Sequence, residues 1–235
     1  MNIAILGYGK MGKTIEHLAT QKGHRIVYKS SSTSTEGNLT DAEIALEFSI
    51  PKTAVANITL CLENNIPVVS GTTGWLDKYS EVLKICEHRN GSFIHASNFS
   101  IGVNLFFKLN EYMAQLMKTR KEYNVAIEEI HHSNKKDTPS GTAITIAEGI
   151  LKHSEKIHWK LDGTDNDHLN ISAKRINDVK GTHMVNYFSE IDTLTIKHAA
   201  HSRDGFAIGA ILAAEWLIGK KGVFTMKDVL KIGDW

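Results

Sequence analysis

The chain has 235 residues, 42% of them apolar, and its 27 basic and 26 acidic side chains leave a formal charge of only +1. That composition supports a sizeable core and argues against a nucleic-acid or membrane-surface protein, both of which carry a basic excess. No apolar run approaches the roughly 20 residues of a membrane span, no signal-type h-region is expected at the start, and Cys61 and Cys86 make no CxxC or disulfide framework, so a reducing cytoplasm is the expected setting.

In chain order, residues 1–6 (MNIAIL) have the short apolar run of a buried parallel strand. GYGKMG follows and opens a predicted helix over 10–22, with Met11, Ile15, Leu18 and Ala19 on one face and Gly23 as its stop. A GxGxxG between strand and helix is a dinucleotide signature. Its first glycine makes the tight turn, the second admits a pyrophosphate, and the third lets helix and strand pack closely. The turn nominates Gly7, Tyr8, Gly9, Lys10, Met11 and Gly12 as cofactor contacts. A strand over 25–28 leads into Lys29, Ser30 and Ser31, without the acid that would bind an NAD ribose hydroxyl. Lys29 and the serines are expected to accept a 2′-phosphate, so NADPH is expected to serve at least as well as NADH. Residues 30–35 (SSSTST) read as a flexible loop.

Strands over 44–48, 67–70 and 92–96 then alternate with helices over 53–63 and 77–88. This alternation predicts a Rossmann-like α/β fold, a doubly wound parallel sheet whose ligands bind beyond the carboxyl ends of the strands. Two loops there supply further cofactor candidates: Gly71, Thr72 and Thr73, and then Ala96, Ser97, Asn98 and Phe99.

Residues 101–118 have helical spacing, with a Met and Phe stripe best read as core. A strand over 123–130 is expected to carry Val125 and Ile127 apart from its acids. Residues 128–143 (EEIHHSNKKDTPSGTA) then hold two adjacent histidines, a lysine pair and Pro-Ser-Gly-Thr before a helix over 141–151. Ser140 is the predicted N-cap, and the unpaired N–H groups of that helix start form an anion site. Lys135 and Lys136 add positive charge, and a histidine can hold a proton near neutral pH. The stretch describes a pocket for a small carboxylate or phosphate with a proton donor beside it. No metal is expected, because adjacent strand histidines face opposite ways and no HExxH or cysteine partner is near.

After a polar loop over 162–168, strands over 168–176, 183–189 and 192–199 predict a second α+β domain with a mostly antiparallel sheet. Helices over 205–219 and 224–230 have no sheet of their own and are expected to return to the first domain. Residues 1–100 with about 204–235 are thus expected to bind the dinucleotide, and 101–203 the substrate. His198, His201 and Arg203 fit either a capped helix start or a functional group.

EEIHHSNKKDTPSGTA resembles the signature of the dihydrodipicolinate (4-hydroxy-tetrahydrodipicolinate) reductase family, E-x-H-H-x-x-K-x-D-x-P-S-G-T-A, throughout. GYGKMG, SGTTGW, NFSIGVN, SRDGFAIGA and VFTMKDVL resemble family segments in the same order. The resemblance implies that NADPH or NADH reduces a small cyclic dicarboxylate to tetrahydrodipicolinate in lysine and diaminopimelate biosynthesis. It implies His131 and Lys135 as the catalytic proton donors, and His132, Ser140, Gly141 and Thr142 as substrate contacts. It also implies a homotetramer assembled through the second domain's sheet. Two departures are the missing acid after the second strand, and Ser133 and Asn134 where some relatives are more basic. The competing readings are another small dehydrogenase such as an aspartate dehydrogenase, a nucleotide-sensing module without turnover, and a metal-dependent hydrolase.

Overall fold

The computed structural model describes residues 1–133, 135–163, 165, 167–202 and 204–233. Asn134, Arg203 and two positions of the expected 162–168 loop, Thr164 and Asn166, therefore lie outside the described residues. The chain forms two compact units, Met1–Ile101 with Asp204–Trp235, and Gly102–Arg203.

In the first unit, β1 (Asn2–Leu6), β2 (Arg25–Ser30), β3 (Thr35–Gly37), β4 (Ile44–Glu47), β5 (Val68–Ser70) and β6 (Ser92–His95) alternate with α1 (Lys10–Gln21), α2 (Pro51–Glu63) and α3 (Tyr79–His88). The segment after residue 203 adds α6 (Asp204–Leu217), β12 (Gly222–Phe224) and α7 (Met226–Leu230). The sheet order is β12-β6-β5-β4-β1-β2-β3, parallel throughout except for the β2–β3 pair. Side chains alternate across it. Ile3, Ile5, Ile44, Leu46, Val69 and Ile94 pack with α1, α6 and α7. Ala4, Leu6, Ala45, Val68 and Phe93 pack with α2 and α3. Covered on both faces, these strands read as apolar runs rather than alternating ones. Each fully buried Ile or Leu contributes about 1.5–3 kcal/mol.

Three details differ from the sequence reading. The loop read over residues 30–35 is shortened to a hairpin turn over 31–34: β2 runs to Ser30, Ser31 N–H bonds Ser34 O at 2.8 Å, and β3 pairs antiparallel with Tyr28–Ser30. A three-residue polar edge strand has no periodicity to detect. Helix α2 starts at Pro51, in the first helical turn, where proline's missing N–H costs nothing. The 224–230 segment is not all helix, because Gly222–Phe224 pairs in parallel with β6 and extends the sheet.

The second unit contains α4 (Ile101–Met117), β7 (Asn124–His131), α5 (Gly141–Leu151), β8 (Trp159–Leu161), β9 (Leu169–Arg175), β10 (Thr182–Phe188) and β11 (Thr193–Ala199). Its sheet order is β11-β10-β7-β9-β8, antiparallel from β11 to β7 and parallel from β7 to β8. Helices α4 and α5 cover one face through Phe106, Ala114, Ala143, Ile146, Ala147 and Ile150. The reading of β7 needs correction. Val125, Ile127, Glu129 and His131 are all buried on one face, while Ile130 lies on the other. The period of two places an acid and a histidine in line with the apolar residues. His131 is therefore the last residue of the strand rather than part of the loop.

Candidate active site

The glycine turn has the geometry that a nucleotide site needs. Gly7 has φ +102°, and a β-carbon there would collide with the Phe48 carbonyl; one at Gly12 would collide with the Gly7 carbonyl. At Gly9 a β-carbon would meet nothing within 4 Å. Gly9 is also the N-cap of α1 and has no capping side chain, so first-turn N–H groups remain for an anion. The residues present thus fit a dinucleotide pyrophosphate.

Two cavities flank the turn. One, of about 330 Å³, is lined by Gly7, Tyr8, Gly9, Ser30, Ser31, Ser32, Phe48, Ser49, Ile50, Thr53 and Asn57. The other, of about 400 Å³, brings Met11, Phe48, Ser49 and Pro51 together with Gly71, Thr72, Thr73, Ser97, Asn98, Phe99 and Phe206. All three nominated loops are thus represented. Lys10 is exposed at the start of α1, and Ala96 packs against the core. Lys29 is heavily engaged: its ammonium lies 3.3 Å from Glu16, 3.4 Å from Glu36 and 4.8 Å from the centre of the Tyr8 ring. Two acids therefore balance the charge that was expected to meet a 2′-phosphate.

Sequence reasoning missed Glu47, which is wholly buried at the end of β4. Its carboxylate accepts bonds from Ser49 N–H (3.1 Å), the Ser49 hydroxyl, Ser70 Oγ (2.7 Å) and Thr72 Oγ1 (2.9 Å). The Thr72 carbonyl accepts from Trp75 Nε1 at 2.7 Å and faces His95 Nε2 at 3.1 Å. Burial holds His95 below the usual imidazole range, so it serves as a neutral donor. This network locks the 71–73 loop. The available signal was an acid closing an apolar strand, a place where a carboxylate survives only if it is bonded.

In the second unit the structure gathers a polar cluster around the end of β7. Ser140 Oγ accepts the Ala143 N–H at 3.1 Å, which is the predicted cap. The Ser140 N–H donates to Glu129, 3.1 Å from its nearer oxygen, and Ser140 Oγ lies 3.2 Å from His183 Nε2. Arg175 reaches Glu129 at 3.3 Å, and also donates to Asp137 O at 2.8 Å and Thr138 Oγ1 at 2.6 Å. It thereby pins the loop carrying Lys135, whose ammonium is held at 2.8 Å by Asp137. Burial would raise the Asp137 carboxyl, but Lys135, its own backbone and His131 outweigh it and bring it below the usual range. Gly141 has open space where a β-carbon would stand, and His132 and Thr142 are half-buried. The helix start is therefore approachable.

Burial holds His131 below its ordinary value; Glu129 pulls it upward, while Lys135 and Arg175 push it down. His183 is held down to about 3, by burial first and then by the nearby His131, His198 and Lys135. Donor atoms of Glu129, His131 and His183 all lie within 4.8 Å of one another, a grouping of metal-ligand types that the sequence does not reveal. The Glu129 oxygens, however, are already taken by Arg175 and the Ser140 N–H.

The family model for the N-terminus of dihydrodipicolinate reductase matches residues 1–99, and that for its C-terminus matches residues 102–230. The chain belongs to the dihydrodipicolinate reductase family. The 4-hydroxy-tetrahydrodipicolinate reductase of Christiangramia forsetii is 53% identical over 233 residues, covering 98% of each chain. That of Alkaliphilus oremlandii is 32% identical over 242 residues, covering 99% of each. A solved dipicolinate-bound dihydrodipicolinate reductase from Paenisporosarcina sp. TG-14 shares the fold, with a TM-score of 0.79 at 23% identity over 96% of this chain and 97% of that one. Dihydrodipicolinate reductases are oxidoreductases of lysine biosynthesis that reduce the dihydrodipicolinate intermediate with NADH or NADPH, and the N-terminal half binds the nucleotide. Among the described residues, no helix is long and apolar enough to cross a membrane.

Proposed function

We propose that this chain reduces 4-hydroxy-tetrahydrodipicolinate, once it has lost its hydroxyl as water to give the conjugated dihydrodipicolinate, to tetrahydrodipicolinate, with His131 and Lys135 managing the proton. The observation that carries the reading is local. A buried histidine and a loop-held lysine precede a capped, approachable helix start within a dozen residues. NADPH or NADH, when bound, supplies the hydride. Gly7 to Gly12 would hold its pyrophosphate, and the loops of Gly71–Thr73 and 96–99 its nicotinamide end.

The substrate is a dianion. The first N–H groups of α5, at Gly141 and Thr142, accept one carboxylate with help from the helix dipole, and His132 and Ser140 complete that contact. Lys135 faces the developing negative charge, where a fixed cation is most effective. His131 starts out neutral because it is buried. Two carboxylates arriving beside it raise its proton affinity, so the acid is loaded as substrate binds. It then gives that proton to the carbon neighbouring the reduced one. Such a positioned acid contributes about 10²–10⁴ in rate.

Cofactor choice follows from the ribose end. Among the described residues no acid lines the cavity by Ser30–Ser32, so a 2′-phosphate is tolerated, while the paired Lys29 gives it no strong advantage. We place the enzyme in the cytoplasm as a homotetramer joined through the second unit's sheet. Supporting that assembly, β11 is an edge strand with Leu194 exposed, and Ile191 at the β10–β11 tip is 91% exposed.

The test is oxidation of NADPH and of NADH in the presence of freshly generated substrate. His131→Gln and Lys135→Ala should each lose most of kcat with an unchanged Kd for NADPH. Near-normal turnover by both variants would overturn the assignment, and light scattering that shows a monomer would overturn the tetramer.

A further inference from the structure

The pairing of β7 with β10 sets Glu129 directly opposite His183, and the strand period brings His131 onto the same buried face two residues later. One carboxylate, with no exposed surface, therefore serves four neighbours. The Ser140 N–H lies at 3.1 Å, Arg175 at 3.3 Å, His131 Nδ1 at 3.6 Å and His183 Nε2 at 3.8 Å. His131 Nδ1 is itself buried and has no hydrogen-bond partner among the described residues; Glu129 stands next to it. The other nitrogen, Nε2, points toward Gly181, where an added β-carbon would stand 3.3 Å away. The two imidazoles lie edge to face with centroids 5.0 Å apart, too close for both to be cations in a buried site. His183 is already engaged with Ser140 Oγ, which caps α5.

We propose that Glu129 is the positioning residue of the proton donor: it holds a proton on Nδ1 of His131, leaving Nε2 as the nitrogen that delivers, and it keeps the charge on His131 rather than on His183. This deepens the reading of His131 as the donor and rests on it. The step balances simply. An Nε2–H bond of the imidazolium breaks, a C–H bond forms beside the carbon that receives the hydride, and the neutral ring retains its Nδ1 proton toward Glu129. The charged and titrating groups around His131 act in opposition. Glu129 on its own strand and Asp137 on the loop favour the cation, while Arg175 of β9 and Lys135 of the loop disfavour it. His183 of β10 is neutral, and so is His198 of β11 behind it, which burial also holds low.

The experiment compares wild type, E129Q, E129D, H131Q and the double variant E129Q/H131Q. The readouts are NADPH affinity, the pH profile of kcat, and the NMR titration of the His131 ring. In E129Q the His131 titration should move down by at least about one pH unit, a tenfold loss of protonated ring at a given pH. The pH profile of kcat should move with it, and the Kd for NADPH should stay within about twofold. Should E129Q fail to fold, E129D retains the charge that Arg175 needs but withdraws it from the ring, and should shift the titration the same way by a smaller step. The double variant should be no slower than H131Q. An unmoved His131 titration in E129Q and E129D, or a further loss of kcat when E129Q is added to H131Q, would reduce Glu129 to a structural part. Wild-type turnover by H131Q, with the His131 titration still shifted in E129Q, would instead overturn the donor assignment and leave the Glu129–His131 coupling standing.

Discussion

Replacing His183 by glutamine should remove a specific portion of the protein's sensitivity to acid. His183 is 5% exposed, and burial, followed by the nearby His131, His198 and Lys135, holds its imidazole at about 3 instead of 6.5. Between those values the unfolded chain binds a proton that the folded chain refuses. The associated stability is complete above pH 6.5 and is lost as pH falls toward 3. Going from pH 7 to pH 5 crosses about 1.5 units of that window, which at about 1.36 kcal/mol per unit costs about 2 kcal/mol. Glutamine cannot titrate, yet its amide can reach Ser140 Oγ, the present partner of His183 Nε2. Urea unfolding of both proteins at pH 7 and pH 5 isolates the effect, because every other titrating group is common to the pair. With m of about 1–3 kcal/mol/M, the wild-type midpoint should fall by roughly 1 M more than that of H183Q. Equal losses in the two proteins, within about 0.5 kcal/mol, would refute the buried neutral histidine.

The glycine turn should separate folding from binding. Gly7→Ala, at φ +102° and against the Phe48 carbonyl, should destabilise the first unit by at least about 1 kcal/mol as well as weaken NADPH binding. Gly9→Ala, with open space around it, should leave the melting temperature unchanged while the Kd for NADPH rises about tenfold, the equivalent of about 1.4 kcal/mol. The values of kcat/KM for NADPH and NADH should agree within about tenfold, with NADPH no worse; a strong NADH preference would show that Glu36 dominates the ribose site instead of being cancelled by Lys29. Burial, with Glu47 adding to it, pushes the Cys61 thiol up to about 12, and burial raises Cys86 as well. Neither should react with a thiol reagent at pH 8 until urea opens the first unit, and labelling of folded protein at the unfolded rate would contradict that burial.

What could be read in the chain was what neighbours in sequence decide. The glycine turn, the alternation of apolar runs and the Ser140 cap all depend on residues within one turn or strand of each other. Three-residue strands such as β3, β8 and β12 hold too few side chains for any period to emerge. The groups that surround Glu129 were hidden for a different reason. Arg175 and His183 reach it through strand pairings 46 or more residues away along the chain, and neither stands in a local motif. Glu129 itself was legible by counting in twos from Val125 through Ile127 to His131. Its proximity to a histidine pair drew attention to the loop and away from the strand.

The opposition of Glu129 and His183 across β7 and β10 makes this centre depend on how two strands are aligned. Strand alignment is quantised: a slip of one position turns every side chain to the other face. Deleting a single residue in the 176–181 connection would draw His183 out of the interior and present Met184 in its place, leaving the sheet able to form but the acid without its surroundings. Length in that connection is therefore as strict a requirement for this enzyme as the identity of its histidines.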